Sequence, residues 1–306
     1  MADETPAIIE VSLNGATTKT VNPHVPRTPA EVTSDVLACL DAGAAIVHSH
    51  TDDPNFGGTG RHDPTPYIEA WEPVLKKRPD ALLYPTMEGG GPHTTIAVRA
   101  EHLRVLAAER LMRIAIVDMG TTNMGGLDAK GVPTASETLF INTNGDAHYM
   151  FDLCRESRLA PSIGIIEPGS IRVLLGFWRN GLLPQGAYVR LMFGGEKALC
   201  GLPPTRSALD LYLDMLEGTN LPWSVATIGG NSLENGIARY ALERGGHVRL
   251  GLEDLAAPGP SNVDLVRGAV ELINEVGRPV ATPTDTAALL KLPDATNQGQ
   301  AGRAKF

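Results

Sequence analysis

Two histidines one residue apart, His48 and His50, close an apolar run that begins at Ala44 and leads into Thr51, Asp52 and Asp53. If residues 44–50 form a β-strand, alternate side chains share a face and the two imidazoles project side by side. That arrangement presents two nitrogen donors to one divalent metal, in a polar pocket marked by the acids just beyond. The plainer alternative is a pair of separately hydrogen-bonded histidines at a strand end. A third ligand would separate the two, and Glu253, in Arg249-Leu250-Gly251-Leu252-Glu253-Asp254, is the natural one. Two histidines and a carboxylate with an open position form a common catalytic zinc arrangement, and the same set holds iron or manganese. Such a site polarises a carbonyl oxygen and stabilises an enolate, or lowers the pKa of a bound water. Along an extended strand Arg249, Gly251 and Glu253 share a face. The guanidinium then either binds a substrate carboxylate bidentately or orients Asp254 as a base. Taken alone, Glu253 could be a surface acid and Arg249–Asp254 a structural ion pair.

Elements that bring residues 48, 50 and 253 together must span the chain. Short runs rich in Ile, Val and Leu predict strands at 7–13, 44–50, 81–85, 113–118, 162–167, 188–193, 224–228 and 247–252. Amphipathic helices are expected between them at 29–42, 65–77, 95–108, 147–158, 207–217 and 232–244. Pro29 with Glu31 opens the first helix and Gly43 suits its end. Eight largely apolar strands alternating with helices imply parallel strands buried on both faces, and favour a closed (β/α)8 TIM barrel over an open sheet. No Gly-x-Gly-x-x-Gly follows the first strand, which argues against a dinucleotide fold. With no linker dividing the chain, residues 1–306 read as one domain, with a C-terminal helical extension at 284–290 and a flexible or intersubunit tail at 293–306.

In such a barrel, ligands gather at the carboxyl ends of the strands. The polar side chains expected there are Asn14 after strand one, Thr86 after strand three, Thr121 and Asn123 after strand four and Glu167 at the end of strand five. Glycine pairs such as Gly194-Gly195 and Gly229-Gly230 add backbone amides, although tight turns also need glycine.

Composition narrows the class. At 306 residues, 42% apolar and 20% charged, the chain reads as a globular enzyme. A net charge of −9 without a basic run argues against nucleic acid. Cys39, Cys154 and Cys200 are odd in number and widely spaced, which fits a reducing cytoplasm without disulfides. The polar start Met1-Ala2-Asp3-Glu4-Thr5 is unlike a signal peptide, and no apolar run approaches the ~20 residues of a membrane span.

Several blocks together resemble the β-keto acid cleavage enzymes, the family that includes 3-keto-5-aminohexanoate cleavage enzyme. They are Asn14-Gly15-Ala16, Asn22-Pro23 with Thr28-Pro29-Ala30-Glu31, Ala42-Gly43-Ala44-Ala45-Ile46-Val47-His48-Ser49-His50, Gly245-Gly246-His247-Val248 running on to Asp254, and Ser261-Asn262. The resemblance covers nearly the whole length. It implies a zinc-dependent, usually tetrameric barrel that reacts a β-keto acid with acetyl-CoA to give acetoacetate and a new acyl-CoA. On that reading His48, His50 and Glu253 are zinc ligands and Arg249 with Asp254 is the proton-abstracting dyad. Glu167 resembles a further active-site acid, and Thr86 stands near the family's substrate-binding hydroxyl. Three positions depart from the pattern: Asp52 where an arginine is usual, Thr17 where the amino-keto enzyme has an acid, and Glu88 where a small residue is usual. Asp52 or Glu88 could match a cationic or polar acyl group. Two other readings stay open: a metal-dependent aldolase or hydrolase of a small keto acid without CoA, and a non-catalytic metal-binding barrel.

Overall fold

The computed structural model describes residues 5–196 and 198–293. Eight parallel strands make one sheet: β1 (Ile9–Ser12), β2 (Ile46–Ser49), β3 (Leu82–Pro85), β4 (Ile114–Met119), β7 (Ala160–Ile165), β8 (Tyr188–Gly194), β9 (Trp223–Ile228) and β10 (His247–Leu250). Between β4 and β7 a small antiparallel hairpin, β5 (Thr122–Asn123) with β6 (Leu139–Phe140), stands apart from the sheet. The strand order is β3-β2-β1-β10-β9-β8-β7-β4, and its two ends, β3 and β4, lie against each other, so the sheet curls nearly closed into the expected barrel. β1, β2, β3, β7, β8 and β10 are buried along their whole length, as parallel strands between a packed interior and a ring of helices must be.

The ring comprises α1 (Pro29–Ala42), α2 (Thr65–Lys77), α3 (Ile96–Arg99), α4 (Glu101–Ala108), α5 (Asn144–Ser157), α6 (Ser170–Arg179), α7 (Arg206–Leu216), α8 (Ile237–Glu243), α9 (Leu252–Leu255) and α10 (Asn262–Val276). The chain then runs into α11 (Pro283–Leu289), the expected C-terminal extension. Thr28 and Glu31 close a reciprocal capping box at the start of α1, satisfying two amides that the helix leaves without partners. Thr143 with Asp146 does the same for α5, which therefore begins three residues before the expected start.

Several expected boundaries are corrected. The helix expected at 95–108 breaks at Ala100 into α3 and α4, because Arg99 turns inward and donates to the carbonyls of Glu88 and Ile141 and to Asn142 Oδ1. The helix expected at 232–244 shrinks to α8, since Gly236 adopts φ +80° and Asn231 and Asn235 cap turns ahead of it. α6, α10 and the β5–β6 hairpin carry no expectation from the sequence reading. Strand five ends at Ile165, which leaves Glu167 beyond it, and strand eight ends at Leu250, which leaves Glu253 in the first turn of α9. Of the tail at 293–306, all but Pro293 lies outside the described residues.

Candidate metal and acid–base centre

His48 is the third residue of β2 and His50 follows that strand's end, so both rings leave the barrel rim on one side, with centroids 5.0 Å apart. Each ring is oriented from behind. His48 Nδ1 lies 3.3 Å from the carbonyl oxygen of Tyr84, and His50 Nδ1 lies 3.0 Å from Asn55 Oδ1. Oxygens of this kind only accept, so both Nδ1 atoms carry the proton and both Nε2 atoms present a bare lone pair. Those two Nε2 atoms face each other at 3.1 Å. The backbone beneath is fixed by Asn14, whose side-chain oxygen accepts from His50 N at 2.8 Å and whose amide donates to His50 O at 3.1 Å.

Glu253 arrives from across β1. The chain leaves β10 through Gly251, at φ +144°, where a Cβ would stand 2.0 Å from the carbonyl oxygen of Ser12. Only glycine makes this sharp exit, and it turns Glu253 back over the rim. The expectation that Arg249, Gly251 and Glu253 lie along one extended strand is therefore corrected: the two side chains converge through a strand-to-helix turn. Glu253 Oε2 stands 3.4 Å from His48 Nε2 and Oε1 stands 3.3 Å from His50 Nε2. Oε2 is sealed from solvent and has no hydrogen-bond partner among the described residues.

Three lone-pair-bearing groups thus converge with no proton among them. Without a cation such an arrangement is repulsive, and the donor set is the one that binds zinc and its neighbours. His48, His50 and Glu253 place one donor atom each within 4.8 Å of the others, so the residues present fit a divalent ion. Burial holds the His48 imidazole well below its ordinary pKa, with Glu253 opposing and Arg249 and His50 reinforcing, so the ring is neutral, as a ligand must be. Burial alone would raise Glu253, but positive charge at this spot, from His50 or His48 when either ring is protonated and from Arg249 throughout, holds it well below the carboxylate range.

Beside this set lies Asp254. Arg249 grips it with two bonds, Nε to Oδ2 at 3.0 Å and Nη2 to Oδ1 at 3.2 Å, and Ser12 Oγ donates to Oδ2 at 2.7 Å. Arg249 Nη1 donates to Glu10 Oε1 and to Tyr84 Oη, both at 3.0 Å, and Nη2 also reaches Glu253 Oε1 at 3.1 Å. Four of the five guanidinium N–H donors are thus spent in hydrogen bonds to Asp254, Glu10 and Tyr84, and the Glu253 contact is an ion pair. Of the two arrangements open to Arg249 from the sequence, this is the geometry of the one that holds Asp254. Burial raises the Asp254 carboxyl above its ordinary value even though Arg249 opposes it, which makes it a stronger base than a solvated aspartate.

His48, His50, Glu253, Arg249 and Asp254 line one cavity of about 170 Å³, joined by Thr86. Asn14, Thr121, Asn123 and Glu167 are not among its lining residues. Asn14 spends its amide on the His50 backbone. Thr121 bonds to Asn142, and Asn123 pairs with Leu139 in the hairpin. Glu167 Oε1 accepts from Thr122 Oγ1 at 2.6 Å and from Gly201 N at 3.1 Å. The three departures also sit apart from it. Asp52 is ion-paired with Arg27, Glu88 accepts from Gly58 N at 2.7 Å, and Thr17 donates to the carbonyl of Leu252 at 2.9 Å. Glu10, Ser12, Asn55, Tyr84 and Arg190 are functional neighbours that the sequence reading missed. For Glu10 and Arg190 a signal existed, a charged residue inside an otherwise apolar strand.

Residues 6–292 match the family model described as beta-keto acid cleavage enzyme. The chain is similar to a 3-keto-5-aminohexanoate cleavage enzyme of Fusobacterium nucleatum, 28% identical over 93% of this chain and 97% of that one. It is 27% identical to a 3,5-dioxohexanoate:acetyl-CoA acetone transferase of Paraburkholderia graminis, over 97% of this chain and 99% of that one. Among solved structures, the binary complex of ObcA with oxaloacetate matches with a TM-score of 0.65 at 17% identity, covering 89% of this chain and 68% of that chain. That last likeness concerns the fold.

Proposed function

Because the chain belongs to the beta-keto acid cleavage enzyme family, we propose that it reacts a β-keto acid with acetyl-CoA to give acetoacetate and a new acyl-CoA, with zinc held by His48, His50 and Glu253. The observation that carries the reading is the pairing of a three-ligand set with a carboxylate locked beside it: Asp254 is gripped by Arg249, and Arg249 also touches Glu253. A bound zinc ion supplies Lewis-acid polarisation of the β-keto oxygen, which acidifies the adjacent methylene.

The residues of the chain do the rest. Asp254 takes a proton from the α-carbon, and its raised affinity for protons suits that step. The resulting carbanion attacks the acetyl carbonyl of acetyl-CoA, forming a C–C bond and expelling CoA thiolate. The thiolate then adds to the original β-keto carbonyl and the bond between the β-carbon and α-carbon breaks. The acyl group leaves on CoA, and the new acetoacetate carbon recovers the proton from Asp254. Arg249 keeps the carboxylate aimed through both transfers, while Glu10 and Tyr84 keep Arg249 from turning away. Thr86, whose carbonyl accepts from His102 Nε2 at 2.8 Å, offers its hydroxyl to substrate from the cavity wall.

Replacing Asp254 by Asn removes the base and keeps the shape. Its expected phenotype is a kcat lower by roughly 10²–10⁴-fold with zinc content unchanged. Turnover at the wild-type rate in Asp254→Asn would remove Asp254 from this role. Turnover of a β-keto acid without acetyl-CoA would favour an aldolase or hydrolase instead.

A further inference from the structure

We infer that the β-keto acid this chain accepts carries an uncharged, apolar side chain. The inference rests on the keto-acid reading above and concerns the part of the cavity that reading leaves unused. The metal set and Asp254 come from β2 and the turn after β10, on either side of β1. The opposite side of the barrel is built by β4, β7 and β8, with β9 beside them. From there Ile116, Ile166, Met192 and Ile228, joined by Met124 and Phe140 of the β5–β6 hairpin region, line the cavity. Most of these form a second apolar cluster, separate from the main core: Ile166 and Met192 are buried with Cys200 and Ala226, and Met124, Phe140 and Ile228 pack on them. A substrate whose reacting carbons lie between the ligands and Asp254 projects its remaining chain toward this wall. Each methylene buried there strengthens binding about fourfold.

Charge on the substrate chain meets no unbalanced counter-charge in this half of the lining among the described residues. The two ionised groups in that half of the lining neutralise each other, since Arg190 Nη2 donates to Asp118 Oδ1 at 2.8 Å and to the carbonyl of Ser162 at 3.3 Å. Arg190 Nε is sealed from solvent, and the edge of the guanidinium that still lines the cavity carries a charge that Asp118 already balances. The acids that could greet an amine do not line the cavity: Asp52 pairs with Arg27, Glu88 is buried beside Gly58 N, and Glu167 accepts from Thr122 and Gly201. An ammonium here would lose its water and have to share Asp118 with Arg190, and a second carboxylate would have to share Arg190 with Asp118.

The test uses the zinc-loaded full chain and three acids of similar length: 3-oxohexanoate, 5-amino-3-oxohexanoate and 3-oxoadipate. Binding is measured by calorimetry without acetyl-CoA, and kcat/KM from acyl-CoA formation with it. The expected result is that 3-oxohexanoate binds at least about tenfold more tightly than either charged acid, with kcat/KM in the same order. Equal affinities, or a preference for the amine or the dicarboxylate, overturn the inference. Should 3-oxohexanoate bind best while no acid yields acyl-CoA, the side-chain assignment stands and the keto-acid reading fails; should none bind, both fail. Ile228→Asp, at the rim of the wall, is expected to move the affinity ratio toward the amine by about tenfold. An unchanged ratio in a folded, zinc-replete Ile228→Asp protein counts against the wall's role.

Discussion

His48, His50 and Glu253 act as a set only because the atoms behind them fix which nitrogen is bare. Asn55 is the clearest case: it accepts from His50 Nδ1 and so leaves Nε2 free to face Glu253. Asn55→Ala removes that acceptor, and zinc affinity is expected to fall by roughly 10–100-fold in competition with a chelator, with the fold intact. An unchanged affinity would mean that the ring is oriented by other contacts. At this level the sequence was legible where side-chain type announces chemistry. The histidine pair, Glu253 and the Arg249–Asp254 couple all stand together around one cavity. What stayed hidden were the groups around the Arg249–Asp254 couple, because Glu10 and Tyr84, which meet Arg249, and Ser12, which meets Asp254, are far from it in sequence and arrive only as the strands assemble.

The turns after β1 and β10 decide whether the ligands meet. Gly15, at φ +50°, lies so close to Glu253 that a Cβ there would stand 2.4 Å from its Cγ. Gly15→Ala therefore combines a left-handed backbone with a direct collision against the third ligand. The expected outcome is loss of stoichiometric zinc with circular dichroism unchanged; normal zinc content would show that the turn after β1 gives way. These turns also mark the limit of reading elements from a sequence. The strand periods at 44–50 and 81–85 closely matched β2 and β3, since a buried parallel strand is little more than its apolar run. The end of β10 was placed two residues too far because the apolar Leu252 hides a break that only the backbone angle of Gly251 reveals. α6 escaped notice for a related reason: its Ser170 start has no side-chain cap and follows β7 almost at once.

Across the whole molecule, the barrel's stability carries a pH signature separate from its chemistry. His102, on α4, is buried against His62 and Tyr67 and donates from Nε2 to the carbonyl of Thr86. Burial, reinforced by His62, pulls its pKa from 6.5 down to about 4. The unfolded chain thus takes up a proton before the folded one does. The contribution is complete above pH 6.5 and is lost as pH falls from 6.5 toward 4, by about 3 kcal/mol. His102→Gln keeps a donor for Thr86 and has nothing to titrate, so its unfolding free energy is expected to fall less steeply over that window; identical slopes would assign the acid loss to other groups. The (β/α)8 architecture itself was legible from eight apolar runs alternating with helices, because that alternation admits few closed solutions. The cavity's apolar half was not legible, since it is assembled from β4, β6, β8 and β9 and from the segments after β5 and β7.

The proposed reaction makes one bond that no hydrolase or aldolase makes, between the keto acid's α-carbon and the acetyl carbon of acetyl-CoA. Acetyl-CoA labelled with ¹³C in both acetyl carbons, mixed with the zinc-loaded protein and 3-oxohexanoate, follows that bond. The expected result is label in the methyl and keto carbons of acetoacetate and an unlabelled acyl group on CoA, with both products absent when zinc is removed. Label that stays in acetyl-CoA or emerges as free acetate while 3-oxohexanoate is consumed would contradict the proposed chemistry.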